Sequence, residues 1–87
     1  MIKTDDPILI DLLLEYTLEA GISALNSAGY GVSIKNWTPK FEEIDVDDNK
    51  ISLKVRVYPP PTNKYKLSWF YKAIIDRRTG EIIRVYV

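Results

Sequence analysis

Cysteine, histidine and glutamine are all missing from this chain of 87 residues. Without cysteine, disulfides and thiolate metal sites are excluded. Without histidine, the commonest general base and the commonest transition-metal ligand are gone as well. The missing glutamine, set beside plentiful isoleucine and charged residues, leans towards a thermophilic source. Long apolar runs are absent too. The stretch 8–14 is interrupted by Asp11 and preceded by Asp5 and Asp6, where a signal peptide carries a cationic lead, and it is too short to span a bilayer. The expected location is therefore cytoplasmic, with no membrane partner. No glycine-rich phosphate loop, nucleophile elbow or dinucleotide fingerprint occurs, since Gly29-Tyr30-Gly31 follows a helix instead of opening one.

What is present is ordinary globular material, 46% hydrophobic and 28% charged. That composition argues against disorder and fits one domain over 1–87, near the small end of what folds unaided. The formal charge is zero, yet it is unevenly laid out. Up to Asp48, three cations face ten acids, a balance of −7; from Asn49 onward, nine cations face two acids, a balance of +7. Such a division points to a polar binding surface, to charge matching within the fold, or to head-to-tail self-association.

Asp6-Pro7 supplies an N-cap and a first-turn proline, so a helix is expected from there to about Ala28, closed by Gly29 as the left-handed residue after it. At 100° per residue Ile10, Leu13, Leu14, Thr17, Leu18, Ala20, Gly21, Ala24, Leu25 and Ala28 share one face, and Asp11, Glu15, Glu19, Ser23 and Asn26 the opposite one. Ile8, Leu12 and Ile22 intrude on the polar side. The small residues Ala20, Gly21 and Ala24 allow close approach to a sheet. After Gly31 the period changes to two: a first strand is expected from Val32, bent around Trp37-Thr38-Pro39-Lys40 and resumed over 41–46. An Asp48-Asn49 turn sets Val46 opposite Ile51 and Ile44 opposite Leu53, and a bulge near Phe41 keeps Glu42 from facing Val55. The strand 50–58 alternates cleanly, and Pro59-Pro60-Pro61 ends it.

The last stretch, LSWFYKAIIDRRTGEIIRVYV, reads as a hairpin with a three-residue Arg78-Thr79-Gly80 connection. Arg77 then meets Glu81, Ile75 meets Ile83, Ala73 meets Val85 and Tyr71 meets Val87. An antiparallel return from the preceding strand pairs Val57 with Leu67, Val55 with Trp69 and Leu53 with Tyr71. Odd positions point inward along all three strands, Ile51 to Val57, Leu67 to Ile75 and Ile83 to Val87. The expected fold is therefore α+β, one long N-terminal helix packed on a four-stranded antiparallel meander in two layers.

The order helix then four strands resembles the cystatin-like arrangement. The ending YKAIIDRRTGEIIRVYV resembles the PepSY family, with Asp76, Thr79, Gly80 and Glu81 matching its Asp-x-x-Thr-Gly-Glu turn. The resemblance spans the last fifth of the chain and implies a non-catalytic module that regulates or inhibits a peptidase. The Gln-x-Val-x-Gly inhibitory loop of cystatins has no counterpart here, so no functional residue is carried over.

Asp11, Glu15 and Glu19 lie one turn apart on the helix face expected to be wet, and Asp45, Asp47 and Asp48 lack the loop length and terminal glutamate of a calcium site. No catalytic residue, metal, cofactor or small-molecule substrate is indicated. The remaining feature is the outer sheet face, where Lys54, Arg56, Lys66, Lys72 and Arg84 alternate with Tyr58, Phe70, Ile74, Ile82 and Tyr86. Tyr and Arg around exposed apolar residues is the composition of protein interfaces. Cations beside aromatic rings is equally the recipe for single-stranded nucleic acid. The expected function is a non-enzymatic module that binds a protein partner or its own copy through this face, with single-stranded nucleic acid as the alternative.

Overall fold

Proline at the first helical position and glycine just past the last one bracket the helix α1, Pro7–Ser27. The computed structural model describes residues 7–33, 35–61 and 67–87, the first four of these by backbone alone. The expected Asp6 cap thus lies outside the described residues. At the other end, Gly29 has φ +90°, its N–H donates to the Asn26 carbonyl (3.0 Å) and the Tyr30 N–H donates to the Leu25 carbonyl (3.1 Å). These two bonds satisfy carbonyls that the helix leaves open, as a left-handed closing residue does.

The chain does not enter a strand at Val32, as the period-two pattern suggested. Instead the Asn26 side chain clamps it: Nδ2 donates to the Val32 carbonyl (2.9 Å) and Oδ1 accepts the Val32 N–H (2.6 Å). The amide imitates one rung of a β-ladder, and Val32 is pulled into the core with Ile22, which is only 8% exposed although the helical wheel places it on the polar side. Ile34 lies outside the described residues.

Four strands follow: β1 (Thr38–Val46), β2 (Lys50–Tyr58), β3 (Trp69–Asp76) and β4 (Ile82–Tyr86), antiparallel throughout and ordered β1-β2-β3-β4. Pro39 pairs with Val57 inside β1 instead of bending it; β1 is an edge strand, where a missing N–H is tolerated. The irregularity falls at Glu42, extra between Phe41↔Val55 and Glu43↔Lys54, while Ile44↔Leu53 and Val46↔Ile51 stand as the turn chemistry implied. Between β2 and β3 the register differs from expectation by two: Val57 meets Trp69, Val55 meets Tyr71 and Leu53 meets Ala73. The connection is longer than assumed, and Leu67, 56% exposed, belongs to it. A two-residue slip keeps every side chain on its face, so alternation alone could not detect it.

The β3–β4 hairpin departs in a more instructive way. Asp76, not Arg77, closes the turn opposite Glu81: its N–H donates to the Glu81 carbonyl (2.8 Å) and its carbonyl accepts the Gly80 N–H (2.8 Å). The loop therefore has four residues, with Gly80 at φ +77° and the Asp76 carboxylate accepting the Arg78 and Thr79 N–H groups. One extra loop residue moves Ile82 opposite Ile75, in place of Ile83, and packs it against the core. A bulge follows that expels Ile83, 59% exposed, after which Ile74↔Arg84, Ala73↔Val85 and Lys72↔Tyr86 resume as expected. Ile82 is thus an inner residue and Ile83 an outer one, the reverse of the sequence reading.

The helix lies over β3 and β4. Beneath it Ile51, Leu53, Val55, Val57, Tyr71, Ala73 and Ile75 are fully buried and meet Leu13, Ile22 and Leu25 in one cluster. Each large aliphatic side chain removed from water contributes about 1.5–3 kcal/mol. At Gly21 the two layers approach closely: a Cβ there would sit 2.5 Å from Cδ1 and Cζ of Tyr71. One turn away, the buried Thr17 hydroxyl donates to the Leu13 carbonyl (2.9 Å), so its contact with the Tyr71 hydroxyl (3.1 Å) is filled by the Tyr71 proton.

Candidate functional site

The side of the sheet turned away from the helix is a small grid. One row across the strands reads Lys40, Arg56, Phe70; the next Glu43, Lys54, Lys72, Tyr86; the third Asp45, Ser52, Ile74, Arg84. Eight of the nine residues expected to bind fall within the described chain, and Lys66 lies outside it. Lys54, Arg56, Phe70, Lys72, Ile74, Arg84 and Tyr86 are brought together on the face, and Tyr58 sits at its corner opposite Thr38.

Phe70, 37% exposed, ends the first row and is held by cations from β2. The Lys54 ammonium stands 4.5 Å from its ring centroid and the Arg56 guanidinium 5.4 Å. Arg84 covers the Tyr86 ring at 4.9 Å and Lys40 the Tyr58 ring at 5.6 Å. The π-face attracts each cation, and the stems of the long side chains shield the rings from water. Between the second and third rows the face is dished, a concavity of about 370 Å³ bordered by Glu43, Asp45, Ser52, Lys54, Lys72, Ile74 and Tyr86.

Glu42 organises the cations, and alternation hid it. Its bulged backbone sets the carboxylate between two strand positions, where Oε1 accepts from Arg56 Nε (2.9 Å) and Oε2 lies 3.3 Å from Lys54 Nζ. The Arg56 hydrogen bond, with Lys54 beside it, holds the Glu42 carboxyl below the usual carboxylate range, and Glu42 in turn raises the Arg56 guanidinium. The parity conflict at Glu42 was the one signal in the sequence for this. Arg56 also donates to Ser68 Oγ (3.2 Å). Lys72 and Arg84, by contrast, have no carboxylate partner among the described residues, and Lys72 faces Lys54 directly across the ladder, a like-charge pairing that strands disfavour.

Elsewhere the polar clusters are structural. The Asp47 carboxylate accepts the Asn49 and Lys50 N–H groups (2.7 and 2.8 Å), which hold its pKa down, the Asn49 bond most. It is a turn residue. Asp11, Glu15 and Glu19 are exposed along the helix without converging on anything. Among the described residues, no group of three or more histidine, cysteine, aspartate or glutamate side chains gathers to hold a metal ion, and no helix is long and apolar enough to cross a membrane.

Compared with family models, curated proteins and solved structures, the chain matches none.

Proposed function

We propose that this protein is a non-enzymatic interaction module whose outer sheet face docks another polypeptide, either a partner protein or a second copy of itself. The carrying observation is Phe70: an aromatic ring left a third exposed on the open outer face near the start of β3, clasped by Lys54 and Arg56, with a shallow dish on the far side of Lys54 and Lys72. Aromatic and arginine side chains at the centre of a patch, with charges around them, are where protein contacts concentrate their energy. For single-stranded nucleic acid the face is less suitable. Glu42 already occupies Lys54 and Arg56, and Glu43 and Asp45 extend the same rows with negative charge that phosphates would meet. A regulatory or inhibitory role, implied by the PepSY-like ending, and a cytoplasmic setting belong to the same reading.

The test is a photo-crosslinking amino acid placed at Phe70 in the native cell, with Thr79 as the control position. Cross-linked polypeptide at 70 and none at 79 is the expected result. Only nucleic acid at 70, or no adduct at either position, would remove the reading.

A further inference from the structure

The helix carries a second, outward surface that the sheet does not use. Leu12 and Tyr16, one turn apart, are 55% and 52% exposed. Asp11, Glu15 and Glu19 run beside them, also exposed. An apolar ridge with an acidic flank is thus displayed on one side of the molecule. On the other side Phe70, Ile74 and Tyr86 are flanked by Lys72 and Arg84, two cations with no carboxylate partner among the described residues. The two surfaces are opposite in sign and alike in apolar content and in size. Asp11 to Glu19 covers about 12 Å of helix at ~1.5 Å per residue, and the three strands β2 to β4 span about 10 Å at ~4.8 Å per step.

We infer that the partner of the outer sheet face is a second copy of this chain, which lays the Leu12–Tyr16 ridge of α1 across β2 to β4 and sets Glu15 and Glu19 against Lys72 and Arg84. This rests on the outer face being a contact surface, and it names the occupant. The contact is heterologous, so each joined pair keeps one helix ridge and one sheet face free, and the assembly is a ring or an open chain, not a two-fold dimer. Two helical turns on three strands is a small interface of the weak, reversible kind. Charge pairing across it makes association sensitive to salt, because screening shortens to about 3 Å at 1 M.

Charge exchange tests the arrangement by sedimentation velocity from micromolar to millimolar concentrations, with circular dichroism confirming that every variant is folded. Wild-type protein is expected to associate at low salt and dissociate at high salt. Glu15→Arg with Glu19→Arg, or Lys72→Glu with Arg84→Glu, each weakens association at least about tenfold, as close interfacial charge pairs do. An equimolar mixture of the two variants, or all four changes in one chain, restores it, because every junction is then opposite in sign again. Tyr16→Ser, which adds no charge, gives the same loss by removing apolar contact. A wild-type monomer at 1 mM and low salt, or two weakened variants that fail to complement, would overturn the inference. A foreign protein cross-linked at position 70 together with a monomeric wild type would overturn the second copy alone and leave the outer face a docking surface.

Discussion

At Gly21 the helix comes close enough to the Tyr71 ring to leave no room for a side chain, and the substitution Gly21→Ala therefore has a diagnostic sign. In an exposed helix interior that change stabilises by roughly 1 kcal/mol. Here the new methyl group would meet the buried Tyr71 ring well inside van der Waals distance, and overpacking of this sort costs about 1–3 kcal/mol. Denaturant unfolding is expected to show net destabilisation; a more stable Gly21→Ala protein would mean that the layers are further apart. The hydroxyl pair beside it gives an ordered prediction. Tyr71→Phe leaves Thr17 still bonded to Leu13 and costs about 0.5–1.5 kcal/mol, whereas Thr17→Val strands the buried Tyr71 hydroxyl and costs about 1–3 kcal/mol. Burial also raises the Tyr71 pKa above its ordinary 10.0. The folded protein then holds this proton longer than the unfolded chain, so the contribution is complete below pH 10 and is lost as pH rises through the folded value. Stability measured from pH 9 upward should fall in the wild type and fall less steeply in Tyr71→Phe. Gly21 was legible from the sequence as a small residue on the inner helix face. Its partner was not, because the β2–β3 register that brings Tyr71 beneath it is invisible to alternation.

The elements were legible to the extent that a side-chain period fixes them. Period 3.6 located α1, period two located β2 and β3, and the Glu42 conflict located the bulge in β1. Val32 escaped the reading because its pairing partner is a side chain, Asn26, and no strand pattern encodes that. In the last hairpin two departures cancel. A four-residue loop shifts the register by one, the bulge at Ile83 shifts it back, and Val85 ends up opposite Ala73 with or without both. Only the two isoleucines between loop and bulge can tell the arrangements apart. Ile82→Ala should cost about 1–2 kcal/mol, part of the cost of truncating a fully buried isoleucine, and Ile83→Ala should stay within about 0.5 kcal/mol, as at other surface positions. The reverse order in thermal or denaturant unfolding would restore the three-residue loop and place Ile83 inside. The same logic explains what could be foreseen of the candidate face. Lys54, Arg56, Phe70, Lys72 and Ile74 follow from parity within single strands, while Glu42 required the bulge and Ile82 the loop length.

Across the whole molecule, the separation of charge along the chain is partly resolved within the fold, since Glu42 from the acidic half holds Lys54 and Arg56 from the basic half. Among the described charges left without an ion partner are the helix acids and the pair Lys72 and Arg84, on opposite sides of the sheet. Stability is distributed just as unevenly. The helix packs over β3 and β4, whereas β1 reaches the rest of the chain chiefly through β2. The inward residues of β1, Phe41, Ile44 and Val46, remain half-buried, while those of β2 and, past Trp69, those of β3 are closed to water. Local opening needs little free energy where few apolar contacts are broken. In native-state hydrogen exchange under low denaturant, amides of β2 and β3 facing each other should exchange only through global unfolding, with the full denaturant dependence. Amides of β1 should exchange earlier, through a sub-global opening with a smaller dependence that leaves the helix and the other strands paired. Equal protection in β1 and β3 would show that β1 is held by something besides its ladder to β2. The β1 edge would then be as firm as the centre of the sheet, and the molecule would open only as one unit.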